Sequence, residues 1–165
     1  MKKFFITLVS VLAFTTAASA QDYLTPQGSF IASIGFNFGM NPASSAGLGY
    51  DFGGVLEYCF YSKGHSSFGV AASVCGIPFQ NHETKERMTS IIAMPQVSYH
   101  YGLSQNWDLY AKGGVGCSWI ISDKSTKASV YPEIAIGTRV RIYKPLCFFV
   151  ELGFPYGSVG LSLLF

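Results

Sequence analysis

From residue 28 onward, large apolar side chains fall on one parity of successive short stretches, and small, polar or charged ones fall on the other. Phe30, Ala32, Ile34, Phe36 and Phe38 alternate with Ser29, Ile31, Ser33, Gly35 and Asn37. Trp107, Leu109, Ala111, Val115 and Trp119 alternate with Asp108, Tyr110, Lys112, Gly114 and Ser118. Neighbouring side chains on a strand point to opposite faces, so the pattern predicts a two-faced sheet. It recurs eight times, over residues 28–38, 47–61, 67–75, 89–101, 107–120, 129–143, 147–153 and 158–165.

The parity opposite the apolar one carries Asp51, Glu57, Gln96, His100, Asp108, Lys112, Glu133, Arg139, Arg141 and Glu151, spaced by Gly, Ser and Ala. No formal charge inside a predicted strand falls on the apolar parity, whose clearest polar intruder is Thr138. Longer polar connections at 39–46, 76–88 and 121–128 alternate with tight turns at 62–66, 102–106 and 144–146, and the last link, 154–157, is short. An even number of strands with long loops at one end and short turns at the other predicts an all-β fold, an eight-stranded antiparallel up-and-down barrel. Both termini then lie at the short-turn end. Pro95 falls well inside its strand, where a closed barrel has no edge to accommodate the missing donor, so either a bulge or a start of the regular strand after it is expected.

Only 12% of residues are charged while 16% are aromatic, whereas a soluble surface carries about 25% charge. The apolar parity is therefore expected to face lipid. Beyond the first twenty residues no apolar run reaches the roughly 18 residues of a spanning helix, so only a closed barrel satisfies the backbone in a bilayer. Aromatic residues near the strand ends, Phe30, Phe38, Tyr50, Phe60, Tyr101, Trp107, Trp119 and Phe165, are expected to form girdles at the two interfaces. The same alternation also describes a secreted soluble barrel of lipocalin type, greasy inside around a lipophilic ligand. Its water-facing coat would then be the Gly/Ser/Ala-rich parity, which is thin for that purpose.

Residues 1–20 have the layout of a cleavable secretory signal: Lys2 and Lys3, an apolar run over 4–14, and Ala18-Ser19-Ala20 before the cut. Residues 21–27 are expected to form a short segment at the short-turn end, periplasmic if the barrel spans an outer membrane, and 28–165 the barrel. Of eleven Lys and Arg residues two lie in the leader, leaving nine against nine Asp and Glu, so nucleic acid is not an expected partner. The four cysteines are read as free. Cys59 and Cys75 sit at opposite ends of their hairpin, beyond disulfide reach, and Cys117 and Cys147 fall on opposite parities.

The last strand, Val159-Gly160-Leu161-Ser162-Leu163-Leu164-Phe165, ends on an aromatic residue and resembles the closing strand of the outer-membrane β-barrel family. With Phe149-Val150-Glu151-Leu152-Gly153 and the eight-strand count, the chain resembles the small, porin-like OmpA/OmpX-type branch. The resemblance implies residence in a bacterial outer membrane, contact with its lipid and lipopolysaccharide, and recognition of the C-terminal strand by the barrel-assembly machinery. It further implies a monomer with a structural or surface-interaction role and no catalytic activity.

An eight-stranded barrel is filled by its own side chains, so Asp51, Glu57, His100, Asp108, Lys112, Glu133, Arg139, Arg141 and Glu151 are expected to form a paired polar core. Placing Tyr101 opposite Trp107 sets His100 opposite Asp108 and Gln96 opposite Lys112. Placing Trp119 opposite Val130 sets Asp108 beside Arg141, and Arg139 is expected to reach Glu151. Some small barrels modify lipids, which makes His65-Ser66 one candidate catalytic pair and His82 and Glu83, converging with Asp123 and Ser125 at the outer rim, a second candidate set, although solvated loop residues are the default. Nucleotide, zinc and calcium spacings are absent, so neither a metal nor a cofactor is expected. The most charged stretch, with His82, Glu83, Lys85, Glu86 and Arg87, is the candidate contact surface for an extracellular partner, the alternative being a solubilising cap that binds nothing in particular.

Overall fold

The computed structural model describes residues 23–40, 48–80, 87–122 and 126–165. The leader, and with it the expected cut after Ala20, lies outside the described residues. Eight strands follow in order: β1 (Phe30–Met40), β2 (Leu48–Lys63), β3 (Ser66–Gln80), β4 (Arg87–Ser104), β5 (Trp107–Ser122), β6 (Thr126–Tyr143), β7 (Leu146–Phe154) and β8 (Tyr156–Leu164). Each pairs antiparallel with the next, and β8 returns to β1 to close the barrel. At the seam Phe30 and Phe165 exchange backbone hydrogen bonds, N to O, of 3.0 and 2.9 Å. The terminal residue thus completes the ladder.

The strands run further than their sequence pattern predicts. Lys63↔Ser66, Ser104↔Trp107 and Tyr143↔Leu146 are paired, so the tight turns shrink to the residues between them, with Gly64 in the left-handed region at φ 59°. Each of these hairpins has a register irregularity beside its turn, between Cys59 and Tyr61, Gly102 and Ser104, and Arg141 and Tyr143. One consequence is that Phe60 and Tyr61 are both exposed. No bulge forms at Pro95. The β4–β5 ladder runs to Ala93↔Cys117 and resumes at Gln96↔Gly114 in the same register, and Pro95 itself pairs with Ala72 on β3. The side chain of Pro95 is exposed, and Gly114 gives its carbonyl room, since a Cβ at Gly114 would overlap that oxygen.

Inside the barrel the buried residues form layers. At the turn end Leu24, Ile31, Cys59, Cys147 and Leu164 make one apolar cluster. Towards the loop end Cys75, Ile92, Met94, Tyr131 and Tyr156 make another. Leu24 belongs to the segment before β1, expected to be a simple periplasmic lead-in; instead residues 23–29 tuck into the mouth. Thr25 accepts a hydrogen bond from the Ser67 hydroxyl at its carbonyl, and Gly28 N donates to Cys59 O at 2.8 Å. All four cysteines are free.

Glycines make the narrow interior possible by leaving space that rings occupy. Gly35 on β1 faces Gly160 on β8 across the seam, and the Phe149 ring lies over both, 2.9 Å from where either Cβ would stand. Gly137 receives the Tyr110 ring in the same manner. Such aromatic cover of sheet glycines restores packing that the missing side chain forfeits. Substituting Gly160→Ala is expected to destabilise the barrel by about 1–3 kcal/mol through overpacking, measured as a lower urea midpoint for the folded band on unheated gels. Gly113→Ala, whose Cβ would meet only the Glu133 carbonyl at 3.6 Å, should leave the midpoint unchanged.

Candidate functional site: a charge network in the lumen

Alternation of parity decides which side chains enter the lumen, and register decides which of them meet. Glu57, His100, Asp108, Glu133, Arg139 and Glu151 are all buried, and Lys112 is nearly so. They assemble into two linked clusters.

Nearer the turn end, His100 stands between two carboxylates. Its Nε2 donates to Glu57 Oε1 at 2.6 Å and its Nδ1 to Asp108 Oδ2 at 2.7 Å. The Ser98 hydroxyl donates to the same Glu57 oxygen. The Arg139 guanidinium lies 3.7 Å from Glu57 Oε2 through Nη2 and 3.7 Å from Asp108 Oδ2 through Nη1. Two anions are thus balanced by a guanidinium and by an imidazole that donates at both nitrogens. Towards the middle, Lys112 Nζ sits 3.2 Å from Glu133 Oε1 and 3.0 Å from Glu151 Oε1. Tyr156 donates to Glu133 Oε2 at 2.7 Å, Tyr110 to Glu151 Oε2 at 3.1 Å and Ser158 to Glu151 Oε1 at 3.2 Å. Tyr110 links the clusters, because the Arg139 guanidinium also stacks over its ring at 4.9 Å. Buried ions persist when paired and hydrogen-bonded; Arg139 is paired with two carboxylates, but its Nε and Nη1 make no hydrogen bond among the described residues.

The partners differ from those the hairpin arithmetic predicts. Tyr101 pairs with Leu109, so His100 faces Tyr110 and Lys112 faces Ser98, while Gln96 faces Gly114. The His100–Asp108 contact forms diagonally across the irregular turn. Asp108 lies beside Arg139 and not Arg141, since Cys117 and not Trp119 pairs with Val130. Arg139 faces Phe149 on β7 while Glu151 faces Gly137, so Arg139 turns to Glu57 across the lumen and Lys112 takes Glu151. Arg141 instead donates from Nη1 to the Gln105 carbonyl at 2.9 Å, at the exposed turn. Each slip is by an even number of residues, which changes partners but preserves faces. The side chain of Asp51 lies outside the described residues.

Of the expected girdle, Phe38, Phe60, Tyr101 and Trp107 are exposed and Phe30, Trp119 and Phe165 half-buried; the Tyr50 side chain is outside the described residues. Thr138 is accommodated on the apolar face by using its hydroxyl twice, accepting from the Trp107 indole at 2.6 Å and donating to the Asp108 carbonyl at 3.0 Å. The His65-Ser66 catalytic pair is not assembled. His65 uses Nδ1 on the Gly102 carbonyl at 2.9 Å and Nε2 on the Tyr23 hydroxyl at 2.8 Å, and the Ser66 hydroxyl bonds Tyr99. His82, Glu83, Lys85, Glu86, Asp123 and Ser125, and the Arg87 side chain, lie outside the described residues.

No family model matches the sequence, and no curated protein matches it. Solved structures do. Ail, the attachment invasion locus protein of Yersinia pestis, is 13% identical with a TM-score of 0.53, the match covering 84% of this chain and 99% of Ail. Ail in complex with the heparin analogue sucrose octasulfate gives 12% identity and a TM-score of 0.55 over 83% and 98%. The N-terminal β-barrel domain of Pseudomonas aeruginosa OprF gives 13% and 0.50 over 88% and 100%. The fold is that of the small outer-membrane β-barrels. At such identities the likeness is one of backbone fold.

Removing one member of the turn-end cluster leaves its partners buried and uncompensated. Arg139→Met is expected to cost about 3–5 kcal/mol, read by urea unfolding in detergent. Arg141→Met should cost no more than about 0.5 kcal/mol, the scale of a surface substitution.

Proposed function

We propose that the chain is an integral protein of the bacterial outer membrane, with a barrel that is a sealed anchor and a role exercised at its outward face. The observation that carries this reading is the sorting of side chains between the two faces. Outward-facing Ile34, Phe52 and Val130 are 70%, 74% and 72% exposed, while His100 and Asp108 inside are 0% exposed. An exterior of this kind is an aggregation hazard in water and a solvated surface in hydrocarbon. A lipophilic ligand would require the reverse arrangement, so the soluble-carrier reading has no support in this interior.

Two apolar layers bracket the charged clusters, and the lumen cavity between them is about 40 Å³, room for a water or two. Steady conduction is therefore no part of the role. An outward role is supported by the uneven rim. The ladders from β3 to β6 continue to Gln80↔Arg87, Met88↔Ser122 and Ile121↔Thr126, whereas β6–β7 stops at Ile134↔Phe154 and β7–β8 at Glu151↔Ser158. The strands that carry the connections 81–86 and 123–125 thus outreach the opposite flank. The Ail barrel solved with a heparin analogue supports an extracellular ligand as the class of partner. The closed ladder leaves no strand edge at the β1–β8 seam, which suits a monomer, and the strand ending at Phe165 is the segment the assembly machinery would read.

In fractionated cells the protein is expected in the outer membrane, running at a heat-dependent gel position, with protease added to intact cells cutting within 81–87. Planar bilayers should show no steady single-channel current. Recovery as a detergent-free soluble protein, or a stable open channel, would overturn the reading.

A further inference from the structure

We propose that Glu57, Cys59 and His100 form a binding site for one zinc-class divalent cation at the turn end of the lumen. Glu57 and Cys59 are two apart on β2, so both point inward, and His100 reaches them from β4. The candidate ligand atoms, a Glu57 carboxylate oxygen, Cys59 Sγ and a His100 ring nitrogen, all lie within 4.8 Å of one another, and all three residues are buried. Coordination at about 2.0–2.3 Å requires these atoms to close on a shared ion by side-chain rotation.

The surroundings are those a metal-binding imidazole uses. Asp108 Oδ2 holds Nδ1 at 2.7 Å, leaving Nε2 to face Glu57, the carboxylate–histidine–metal arrangement that fixes ring orientation. Arg139 engages Glu57 through Oε2, the oxygen away from His100, so the carboxylate is held without blocking Oε1. The Ser98 hydroxyl lies 3.3 Å from Nε2, and Glu57 and Ser98 line the lumen cavity, which supplies a fourth position for the hydroxyl or a water. Among the described residues the Cys59 thiol takes no hydrogen bond, although it is 0% exposed and packs in the turn-end apolar cluster. Loading replaces the proton on Nε2 and that on the thiol with a dication, which leaves the formal charge of the cluster unchanged. A set of one thiolate, one imidazole and one carboxylate suits Zn²⁺ or Co²⁺ and disfavours Mg²⁺ and Ca²⁺.

The test refolds the full chain in detergent with Co²⁺ as the probe and reads its spectrum, with heat-modifiable mobility confirming the barrel. One Co²⁺ per chain is expected, with thiolate-to-metal charge-transfer absorption and visible bands of tetrahedral intensity, both displaced by Zn²⁺. Cys59→Ser should abolish the charge-transfer band, and Asp108→Asn should weaken affinity about 10–100-fold. Cys117→Ser and Cys147→Ser should leave the spectrum intact. A folded barrel that shows no such band, or one that Cys59→Ser leaves unchanged, overturns the proposal.

Discussion

Closure of the ladder is the constraint on which everything else in this molecule depends. In hydrocarbon every backbone N–H and C=O must find a partner within the protein, and the pairing of β8 with β1, finished by Phe30 and Phe165, removes the edge that an open sheet would leave. Closing eight strands fixes a narrow cylinder. Half of the side chains must then fit inside it, and the glycines under Phe149 and Tyr110 are the local answer to that crowding.

The same narrowness makes the interior an expensive place for charge. A cation on the lipid face at mid-membrane costs about 2–4 kcal/mol, so the charges belong inside, where each survives by having more than one partner. Glu57 is contacted by Ser98, His100 and Arg139, and Lys112 lies between Glu133 and Glu151. Apolar layers above and below keep bulk water from these contacts. The network is less a source of stability than a condition that the fold must meet once ions are committed to the lumen.

Faces were legible in the sequence and partners were not. A period of two needs only local information, which is why the inward placement of Glu57, His100, Asp108, Lys112 and Arg139 could be read from alternation alone. Partnership depends on turn geometry. The one-residue irregularities beside the three tight turns set the registers of their own ladders, and the β5–β6 register, two residues from the one that alternation suggests, moves Asp108 from Arg141 to Arg139. Contacts across the lumen, such as Glu57 with His100 and Arg139, join strands that are not neighbours, and no hairpin count reaches them. Tyr110 stands on the charged parity, but a side chain that is mostly apolar ring gives no local sign that its hydroxyl bonds Glu151 across the lumen. Tyr156 was hidden because Pro155 and Gly157 around it read as a loop, and β8 begins there only because the turn is so short.

The difference in strand length has a mechanical consequence. A span of about 9–11 tilted residues is the least that crosses a bilayer, and β7 and β8, with nine residues each, are at that limit, while β4 and β6 have eighteen. The molecule is thus a cylinder cut obliquely. Its short flank sets the thickness of membrane in which it can sit, and acyl chains meeting that flank must shorten or tilt where those meeting β4 and β6 need not. A barrel so shaped imposes an asymmetric dent on its own annulus of lipid.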